Sequence, residues 1–530
     1  MDMYKLGITA VLALGLGACS GAPAVEVGAD DLTGTTGVER PIAFEGYVYV
    51  DPGASDATIQ AAIARQVKTG IGALRAPKVA LNDRAARSNL DPSKWTRTTV
   101  SVVDPNAPGK VLRKVVKVTY PYADRAVVTA ALAKKSTVDL TLLFDDYAQH
   151  AAPLKQACSD DPTTETDSLW YHYAPQGASC AGRIQGELAT IAAEQKKVGA
   201  ENAIGPAEAG RWFLPITAKL GPAKPPAQAY APEYDRLFGA GTNKDKLVVY
   251  AFFGVDADET NPDDALAQEA ARFLRAMLAG QPNFRPVHTD PFAMLLDVTQ
   301  NGQPVRNVTY DQLLGWILDK NASPELRKQA LAKLAERWIY WDLPVQVTDP
   351  NGAKRTMTVE VRSFFGYEDG SPDARQHAQW RYLEAFWYGD VFLYNGHSHF
   401  GHGPLEPTAY GPQNFNDRYQ LLFVNSCISF NYYESDFFQM KPGGTKNLDM
   451  ITNGLPSWVW GGGLVSAKLL LGLLSGTQPS YAELLGSMRV DMPWGEKAYD
   501  PMRVADGELD NVFSQKKTPM AVTPLAPVYP

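Results

Sequence analysis

Two kinds of hydrophobic pattern alternate along the second half of the chain. Continuous apolar runs bounded by turn residues are typical of buried strands. They occupy residues 246–253, 284–289, 390–396, 419–427 and 457–464. Helical periodicity marks the segments between them, near residues 261–280, 309–319, 323–339 and 373–387. This alternation predicts an α/β fold with a mainly parallel sheet flanked by helices.

The first of these helices carries start and stop signals. Asn261 suits the N-cap and Pro262 the first helical position, while Asp263 and Asp264 are expected in the first turn. Gly280 is expected to end the helix. The acidic loop 254–264 therefore connects the first strand to this helix.

The first half of the chain has a different pattern. Strand-like runs at 46–50 and 111–120 and helical stretches near 57–69 and 183–196 predict a mixed α+β N-terminal domain, accessory or pro-domain in role. The pattern divides the chain into an N-terminal domain, a Pro-rich linker, a main α/β domain and a polar, loosely packed C-terminal tail. The predicted boundaries of these four parts are 46–220, 221–245, 246–505 and 506–530.

The N-terminus has the features of an export signal. Lys5 precedes an apolar run over residues 6–16, which is too short to span a membrane and suits a signal peptide. The run ends in Leu16-Gly17-Ala18-Cys19, which resembles a bacterial lipobox.

The lipobox resemblance implies removal of residues 1–18 and acylation of Cys19. Ser20 follows where an aspartate would favour the inner membrane, so the expected location is the cell envelope at the outer membrane, on its periplasmic or surface face. Residues 19–45 are small and acidic, which predicts a flexible tether. A plain secretory signal is the alternative.

Charge and cysteine content narrow the classes of function. The formal net charge is -8 and no basic cluster occurs, which argues against a nucleic-acid partner. Of the four cysteines, Cys19 is expected to carry lipid, and Cys158 and Cys180 are expected to form a disulfide in an oxidising compartment. Cys427 is then left as a free thiol, either reactive or an inert buried residue.

A histidine and a cysteine each follow one of the apolar runs. His397 ends the run at 390–396, and Cys427 ends the run that begins at Tyr419. Ligands bind at the carboxyl edge of parallel sheets, so both side chains are expected at one edge. A thiol and an imidazole at adjacent strand ends would supply a nucleophile and its base.

Metal chemistry is an alternative for the same segment. His397, His399 and His402 form a His-Ser-His-Phe-Gly-His sequence, which invites a zinc-hydrolase interpretation with a borrowed carboxylate. The metallo-β-lactamase pattern has an aspartate where Gly401 stands, and no histidine follows His402. Papain-like peptidases place the cysteine before the histidine, which is the reverse of the order here.

The order and context resemble the clan CD cysteine peptidases, most closely the gingipain family. Tyr394-Asn395-Gly396-His397 and Asn425-Ser426-Cys427 match the clan's two apolar strands, one ending in His and the other in Cys. The resemblance covers about residues 246–475 and implies a caspase-like, mainly parallel sheet. It implies that His397 is the general base and acid, that Cys427 is the nucleophile, and that the backbone N–H groups of Ser398 and Cys427 form the oxyanion hole. Ser398 stands where the family has glycine, and a serine there would be strained if the position required a positive φ.

The resemblance also assigns a role to the acidic loop. In the gingipain family this loop supplies an acidic residue that holds a P1 Arg or Lys, and Asp256 and Asp258 are the nearest candidates. A Ca²⁺-binding loop and a merely solvated loop are alternatives. No cofactor is required by the expected chemistry.

The predicted function is a membrane-anchored cysteine endopeptidase that acts on polypeptides, with possible specificity for Arg or Lys. The alternatives from other classes are a non-catalytic surface lipoprotein with a caspase-like scaffold and a zinc-dependent hydrolase.

Overall fold

The computed structural model describes residues 37–82, 90–107, 109–144, 146–200, 202–224, 230–241, 244–287, 296–366, 372–398, 405 and 407–525. Over these residues the fold is mixed α/β, with two large sheets of mixed strand direction and flanking helices. Cys19 and the rest of the predicted signal lie outside the described residues, so signal processing and lipidation stay predictions. No helix of the described part is long and apolar enough to span a bilayer.

The N-terminal unit contains a seven-stranded sheet and the helices that pack on it. Its strands are β1 Val38–Val50, β2 Ala80–Leu81, β3 Thr96–Val103, β4 Val111–Val128, β5 Thr137–Leu143, β6 Ala203–Ile204 and β7 Phe213–Leu220. Its helices are α1 Asp56–Arg75, α2 Ala151–Cys158, α3 Leu169–His172, α4 Ala178–Val198 and α5 Pro206–Ala209. The strand order is β5-β7-β1-β4-β3-β6, and β2 pairs with β4.

The first strand begins earlier than the sequence pattern predicts. β1 pairs with β4 along its whole length, from Val38 opposite Val128 to Val50 opposite Val116. The expected tether over 19–45 is therefore wrong for residues 38–45. The physical reason is that alternate side chains such as Ile42 are buried in the core of this unit.

The remaining elements build the second sheet and its helical layers. The strands are β8 Lys246–Phe253, β9 Arg285–Val287, β10 Val298–Gln300, β11 Gln303–Val305, β12 Ile339–Thr348, β13 Lys354–Phe365, β14 Val391–Asn395, β15 Gln420–Asn425, β16 Leu448–Asn453, β17 Arg503–Asp506 and β18 Ala521–Pro524. The helices are α6 Tyr234–Leu237, α7 Ala265–Gly280, α8 Tyr310–Leu318, α9 Pro324–Ala332, α10 Pro372–Tyr388, α11 Ser429–Tyr432, α12 Glu434–Met440, α13 Gly462–Leu473 and α14 Tyr481–Ser487.

The second sheet has a parallel centre and antiparallel edges. Its order is β17-β16-β15-β14-β8-β13-β12-β18, with β9 also paired to β12, while β10 and β11 form a separate hairpin. Pairing is parallel from β13 through β8, β14 and β15 to β16. β17, β12, β9 and β18 are antiparallel to their neighbours. The carboxyl ends of five neighbouring strands therefore share one edge.

Both faces of the parallel centre are buried, which explains its continuous apolar runs. Along β8, Leu247 and Val249 belong to the hydrophobic core that includes α7 and α13. Tyr250 and Phe252 face the opposite core, which is continuous with residues of the N-terminal unit such as Ile71. The N-terminal unit therefore packs against one face of the second sheet.

Several predicted elements differ from the observed ones. The run at 457–464 is not a strand, because it lies after the end of β16 at Asn453 and α13 begins within it at Gly462. The helix expected over 323–339 ends at Ala332, and the chain then forms the β12–β13 hairpin. In β12 every second side chain is buried, so the strand signal there was an alternation rather than a continuous run.

The predicted linker and tail are also packed. In the 221–245 segment, Tyr234 and Leu237 of α6 are fully buried. In the 506–530 segment, β18 pairs with β12 from Val345 opposite Pro524 to Thr348 opposite Ala521. The expectation of a loosely packed tail is therefore wrong up to residue 525, because apolar residues such as Val522 join the core.

The disulfide between Cys158 and Cys180 is confirmed, with an S–S distance of 1.98 Å. It joins the end of α2 to the start of α4, and both residues are buried.

We expect the Cys158→Ala/Cys180→Ala variant to lower the free energy of unfolding by about 3 kcal/mol, because the bridge restricts the unfolded chain over a 22-residue separation. Urea unfolding in non-reducing buffer measures this difference, and an unchanged midpoint would contradict it.

Candidate functional site

The two residues singled out from the sequence follow neighbouring parallel strands. β14 and β15 pair in register, with Asn395 opposite Asn425. His397 lies two positions beyond Asn395, and Cys427 lies two positions beyond Asn425. That these residues follow adjacent strand ends at the carboxyl edge of the sheet is confirmed.

A row of buried asparagines joins three strand ends beneath this site. Asn425 Nδ2 donates to Asn395 Oδ1 at 3.0 Å, and Asn453 Nδ2 donates to Asn425 Oδ1 at 2.9 Å. Asn453 Nδ2 also approaches the carbonyl oxygen of Ser426 at 3.2 Å, next to Cys427. We call Asn395, Asn425 and Asn453 the asparagine ladder. It holds the ends of β14, β15 and β16 at fixed separations.

The sequence carried a signal for the ladder that the pattern analysis missed. Each strand ends in Asn followed by a small residue, as Asn395-Gly396, Asn425-Ser426 and Asn453-Gly454. Buried amides at strand ends need partners, and amides on neighbouring strands can satisfy one another. The repeat therefore identifies three strands that should lie side by side.

The glycine run at 461–463 closes over the ladder. A Cβ atom on Gly462 would lie 2.8 Å from Asn395 Oδ1 and Asn425 Nδ2. A Cβ atom on Gly463 would meet the carbonyl oxygen of Glu269 in α7. Only glycine lets the start of α13 approach this closely, and Ser466 of α13 then bonds to Asn395.

The imidazole of His397 is largely buried. Burial lowers the pKa of His397 below its usual value, while a backbone hydrogen bond at Val255 and the negative charge of Asp264 oppose that shift. The neutral imidazole is therefore favoured at pH 7, which is the form that acts as a base. The Tyr394 hydroxyl donates to the His397 carbonyl oxygen at 2.7 Å and fixes the backbone there.

Asp256 lies beside His397. Its Oδ1 is 4.0 Å from His397 Nε2, and both side chains are about six-sevenths buried, with 15% and 14% exposed. A carboxylate at this distance stabilises a protonated imidazole. The sequence did not indicate which carboxylate would lie beside His397, and the structure places Asp256 there.

Asp264 organises the acidic loop. Its Oδ2 accepts the backbone N–H groups of Asp256, Ala257 and Asp258 at 2.8–3.2 Å. Its Oδ1 accepts two N–H groups from the first turn of α7 at 2.9 and 3.1 Å. One buried carboxylate therefore caps α7 and shapes the loop that carries Asp256.

This arrangement corrects the predicted start of the helix. The N-cap is Asp264 rather than Asn261, and α7 begins at Ala265. Asp263 precedes this N-cap and so lies outside the first turn, and its carboxylate binds the guanidinium of Arg327 at 2.7 Å. The sequence pattern placed the start of the helix three residues too early.

Asp258 has a local role in the loop. It is exposed, and its Oδ1 accepts the backbone N–H and the hydroxyl of Thr260, each at 2.8 Å. These hydrogen bonds lower the pKa of Asp258. Its carboxylate shapes a turn at the loop surface.

Cys427 is buried and lines a small cavity. The cavity has a volume of about 10 Å³, enough for about one water molecule. Asn395, Leu266 and Trp458 also line it, so Trp458 is part of the wall beside Cys427. The Cys427 Sγ atom lies 3.3 Å from the carbonyl oxygen of Ser457.

The expectation that Cys427 is a free thiol is wrong in this structure. Cys427 is disulfide-bonded, and none of the described cysteines is free. A sulfur atom in a disulfide has no thiolate form, so nucleophilic chemistry at this residue requires prior reduction.

Ser398 and Ile428 follow the two candidate residues. Ser398 is buried and is not among the described residues with a positive φ, so serine in place of glycine brings no left-handed strain. Ile428 has φ +43° and ψ +36°, which is unusual for a β-branched residue. The strained backbone at this edge of the sheet is therefore at Ile428, directly after Cys427, and not at Ser398, directly after His397.

Metal-binding groups are absent from the described part of the chain. No three His, Cys, Asp or Glu side chains there form a group that could hold a metal ion. His399 and His402 lie outside the described residues, so a zinc site formed by these histidines with His397 stays an alternative from the sequence.

No protein-family model, curated protein or solved structure matches this chain. The geometry of the site is therefore the basis for assigning its function.

The role of Asp264 predicts a large effect of one substitution. Asp264→Ala leaves five backbone N–H groups without this acceptor, so we expect the free energy of unfolding to fall by about 1–3 kcal/mol. The matched control Asp258→Asn, in the same loop but exposed, should change it far less. Chemical denaturation measures both, and equal effects would rule out the capping role.

Burial of His397 predicts a pH dependence of stability. Because its pKa is lowered in the folded protein, the unfolded chain binds more protons as the pH falls below about 6.5. The stability contributed by the neutral imidazole is therefore present above that pH and is lost as the pH falls towards the folded pKa. His397→Gln should flatten this part of the profile, whereas the partly exposed His150→Gln serves as a control. Urea midpoints at pH 7.5 and 5.5 would contradict the assignment if the His397 variant and the parent lost equal stability.

Proposed function

We propose that this chain is a lipid-anchored cysteine endopeptidase of the bacterial cell envelope, similar to clan CD peptidases. In this proposal the reduced sulfur of Cys427 is the nucleophile and His397 is the general base. The observation that carries the proposal is the equivalent position of the two residues, each two residues beyond a paired strand-end asparagine.

The sheet around these residues supports a caspase-like arrangement. The first strand β8, the acidic loop, the helix α7 and then the His and Cys strands β14 and β15 occur in the order that the clan CD resemblance requires. β8, β14 and β15 are consecutive parallel neighbours, so the loop, the histidine and the cysteine leave the same edge.

The electrostatics support His397 as the base. A neutral imidazole can take the proton of the Cys427 thiol and become an imidazolium ion. Asp256, 4.0 Å away, stabilises that ion and orients the ring. Asp264 holds Asp256 in place through its backbone N–H.

The proposed reaction has two steps, which are formation of a thioester and hydrolysis of that thioester. The thiolate attacks the substrate carbonyl carbon, and the backbone N–H groups of Ser398 and Cys427 stabilise the oxyanion. The tetrahedral intermediate collapses to a thioester as the imidazolium of His397 protonates the leaving amine. Water then attacks the thioester, His397 takes a proton from that water, and the acid product leaves as the thiol is restored.

Specificity for Arg or Lys remains part of the proposal, with Asp256 and Asp258 as the candidate partners of the P1 side chain. Asp256 also faces His397, so its substitution should affect both binding and catalysis. Asp258 is exposed and engaged by Thr260, which makes it the weaker candidate. A peptide-library profile that shows no preference for a basic P1 residue would remove this part of the proposal.

Reduction is expected to control the site. Cys158 and Cys180 pair with each other, so acylation of Cys19 would exclude an intrachain disulfide at Cys427. In protein that is not acylated we therefore expect an iodoacetamide-type probe to label Cys427 only after a thiol reductant is added, because no described cysteine is free. Mass spectrometry of the peptide that contains Cys427, before and after reduction, measures this. Equal labelling without reductant would contradict it.

The central experiment is peptide hydrolysis by the reduced full chain. We expect Cys427→Ala to abolish turnover, His397→Ala to lower kcat by about 10²–10⁴-fold, and Asp256→Asn to lower it by at least about tenfold. Glu259→Gln, in the same acidic loop but not among the candidate partners of the P1 side chain, is the control.

Two results would favour the other classes of function. Absence of turnover together with slow alkylation of reduced Cys427 would indicate a non-catalytic lipoprotein. Stoichiometric zinc in the purified protein, with turnover that a chelator removes and Cys427→Ala retains, would indicate a zinc-dependent hydrolase.

A further inference from the structure

The turn that follows Cys427 is bound by the N-terminal unit. Asn82, next to β2, donates from Nδ2 to the carbonyl oxygen of Phe430 at 3.0 Å. Asn431 donates in the opposite direction, from Nδ2 to the carbonyl oxygens of Asn82 at 2.9 Å and Leu81 at 3.3 Å. These reciprocal amide bonds, which we call the asparagine clamp, are buried and join segments almost 350 residues apart.

Apolar packing reinforces the clamp. Ala80 of β2 and Val127 of β4 pack with Phe430, Met502 and Val504 in one buried cluster. The asparagine clamp and this apolar cluster therefore both contact the same short helix, α11, which begins two residues after Cys427.

The clamp is adjacent to the strained residue of the site. Ile428, between Cys427 and α11, has a left-handed backbone and is 4% exposed. It borders a small cavity together with Val79, Leu81 and Tyr171 of the N-terminal unit. A β-branched residue in this left-handed conformation is strained, and it persists only where its surroundings hold it.

The strand side of the turn is held independently. The N–H of Ile428 donates to the carbonyl oxygen of Leu455 at 3.2 Å, and Ser429 Oγ bridges Val424 and Asn453. The turn is therefore gripped between the strand ends on one side and the N-terminal unit on the other.

We propose that the N-terminal unit is a positioning element that holds the Cys427 turn in its strained conformation through Asn82 and Asn431. It is therefore a permanent part of the site rather than a pro-segment that is removed to activate it. The inference rests on the proposed function only in treating Cys427 as the reacting residue.

The test compares local opening of the turn with global stability in the full chain. The variants are Asn82→Ala, Asn431→Ala and the control Asn416→Ala. Asn416 is also a buried asparagine, and its Nδ2 donates to the carbonyl oxygens of Phe386 at 3.1 Å and Trp387 at 2.6 Å. It precedes β15, at the opposite end of that strand from Cys427, so the control removes similar amide hydrogen bonds away from the turn. Cys427 is reduced, and its rate of alkylation is followed by mass spectrometry well below the unfolding midpoint of every variant.

We expect each clamp variant to alkylate Cys427 at least about tenfold faster than the parent, because losing a buried amide hydrogen bond lowers the cost of local opening. The control should alkylate at the parent rate even if its unfolding midpoint falls equally. Parent-like rates in the clamp variants, or equal acceleration in the control, would overturn the inference. If a variant fails to fold, Asn82→Ser and Asn431→Ser, which keep small polar groups, provide the same comparison.

A kinetic readout separates positioning from binding. The clamp residues belong to the domain contact, so peptide hydrolysis by the clamp variants should show a lower kcat with an unchanged KM. A raised KM with an unchanged kcat would contradict a positioning role. If the reduced parent hydrolyses no peptide, the peptidase proposal fails, while the alkylation rates still decide whether the clamp holds the turn.

Discussion

The asparagine ladder is the interaction on which the rest of this edge depends. Buried amides tolerate little error in spacing, because each unpaired group carries a desolvation cost. The hydrogen bonds from Asn425 to Asn395 and from Asn453 to Asn425 form only when β14, β15 and β16 end at the same level. That condition places the residues that follow, His397 and Cys427, at equivalent heights on neighbouring strands.

The ladder also constrains what covers it. Gly462 is required above the amides because a Cβ atom there would meet both Asn395 and Asn425. The start of α13 therefore packs closely against α7, where the backbone N–H of Gly463 donates to the buried carboxylate of Glu269 at 2.9 Å. Desolvation raises the pKa of Glu269, while the nearby guanidinium of Arg272 opposes that shift.

The N-terminal unit covers part of the opposite face of the second sheet, which indicates that it is an integral part of the folded protein. Its core is continuous with that of the second sheet through residues such as Tyr250 and Phe252. A segment that is cleaved and released would leave this apolar face in water, at a cost that grows with the area exposed. Its buried contact with the Cys427 turn favours an integral role for the same reason.

The hydrophobic pattern of the sequence alone was enough to predict the central strands of the second sheet. The continuous apolar runs identified β8, β14 and β15, because strands buried on both faces need no polar alternation. The order of His397 and Cys427 followed directly from these strands, and the Cys158–Cys180 pairing followed from the oxidising compartment that the signal implies.

Only the tertiary structure decided which distant groups meet. The choice of Asp264 as the cap, the approach of Asp256 to His397 and the bonding of Asn82 to Phe430 all depend on packing between segments. The β12–β13 hairpin and the β18 strand were missed because their one-sided or short apolar patterns also suit a helix end or a tail. Periodicity reports that a residue is buried, whereas its partner is selected by the three-dimensional fit of the whole chain.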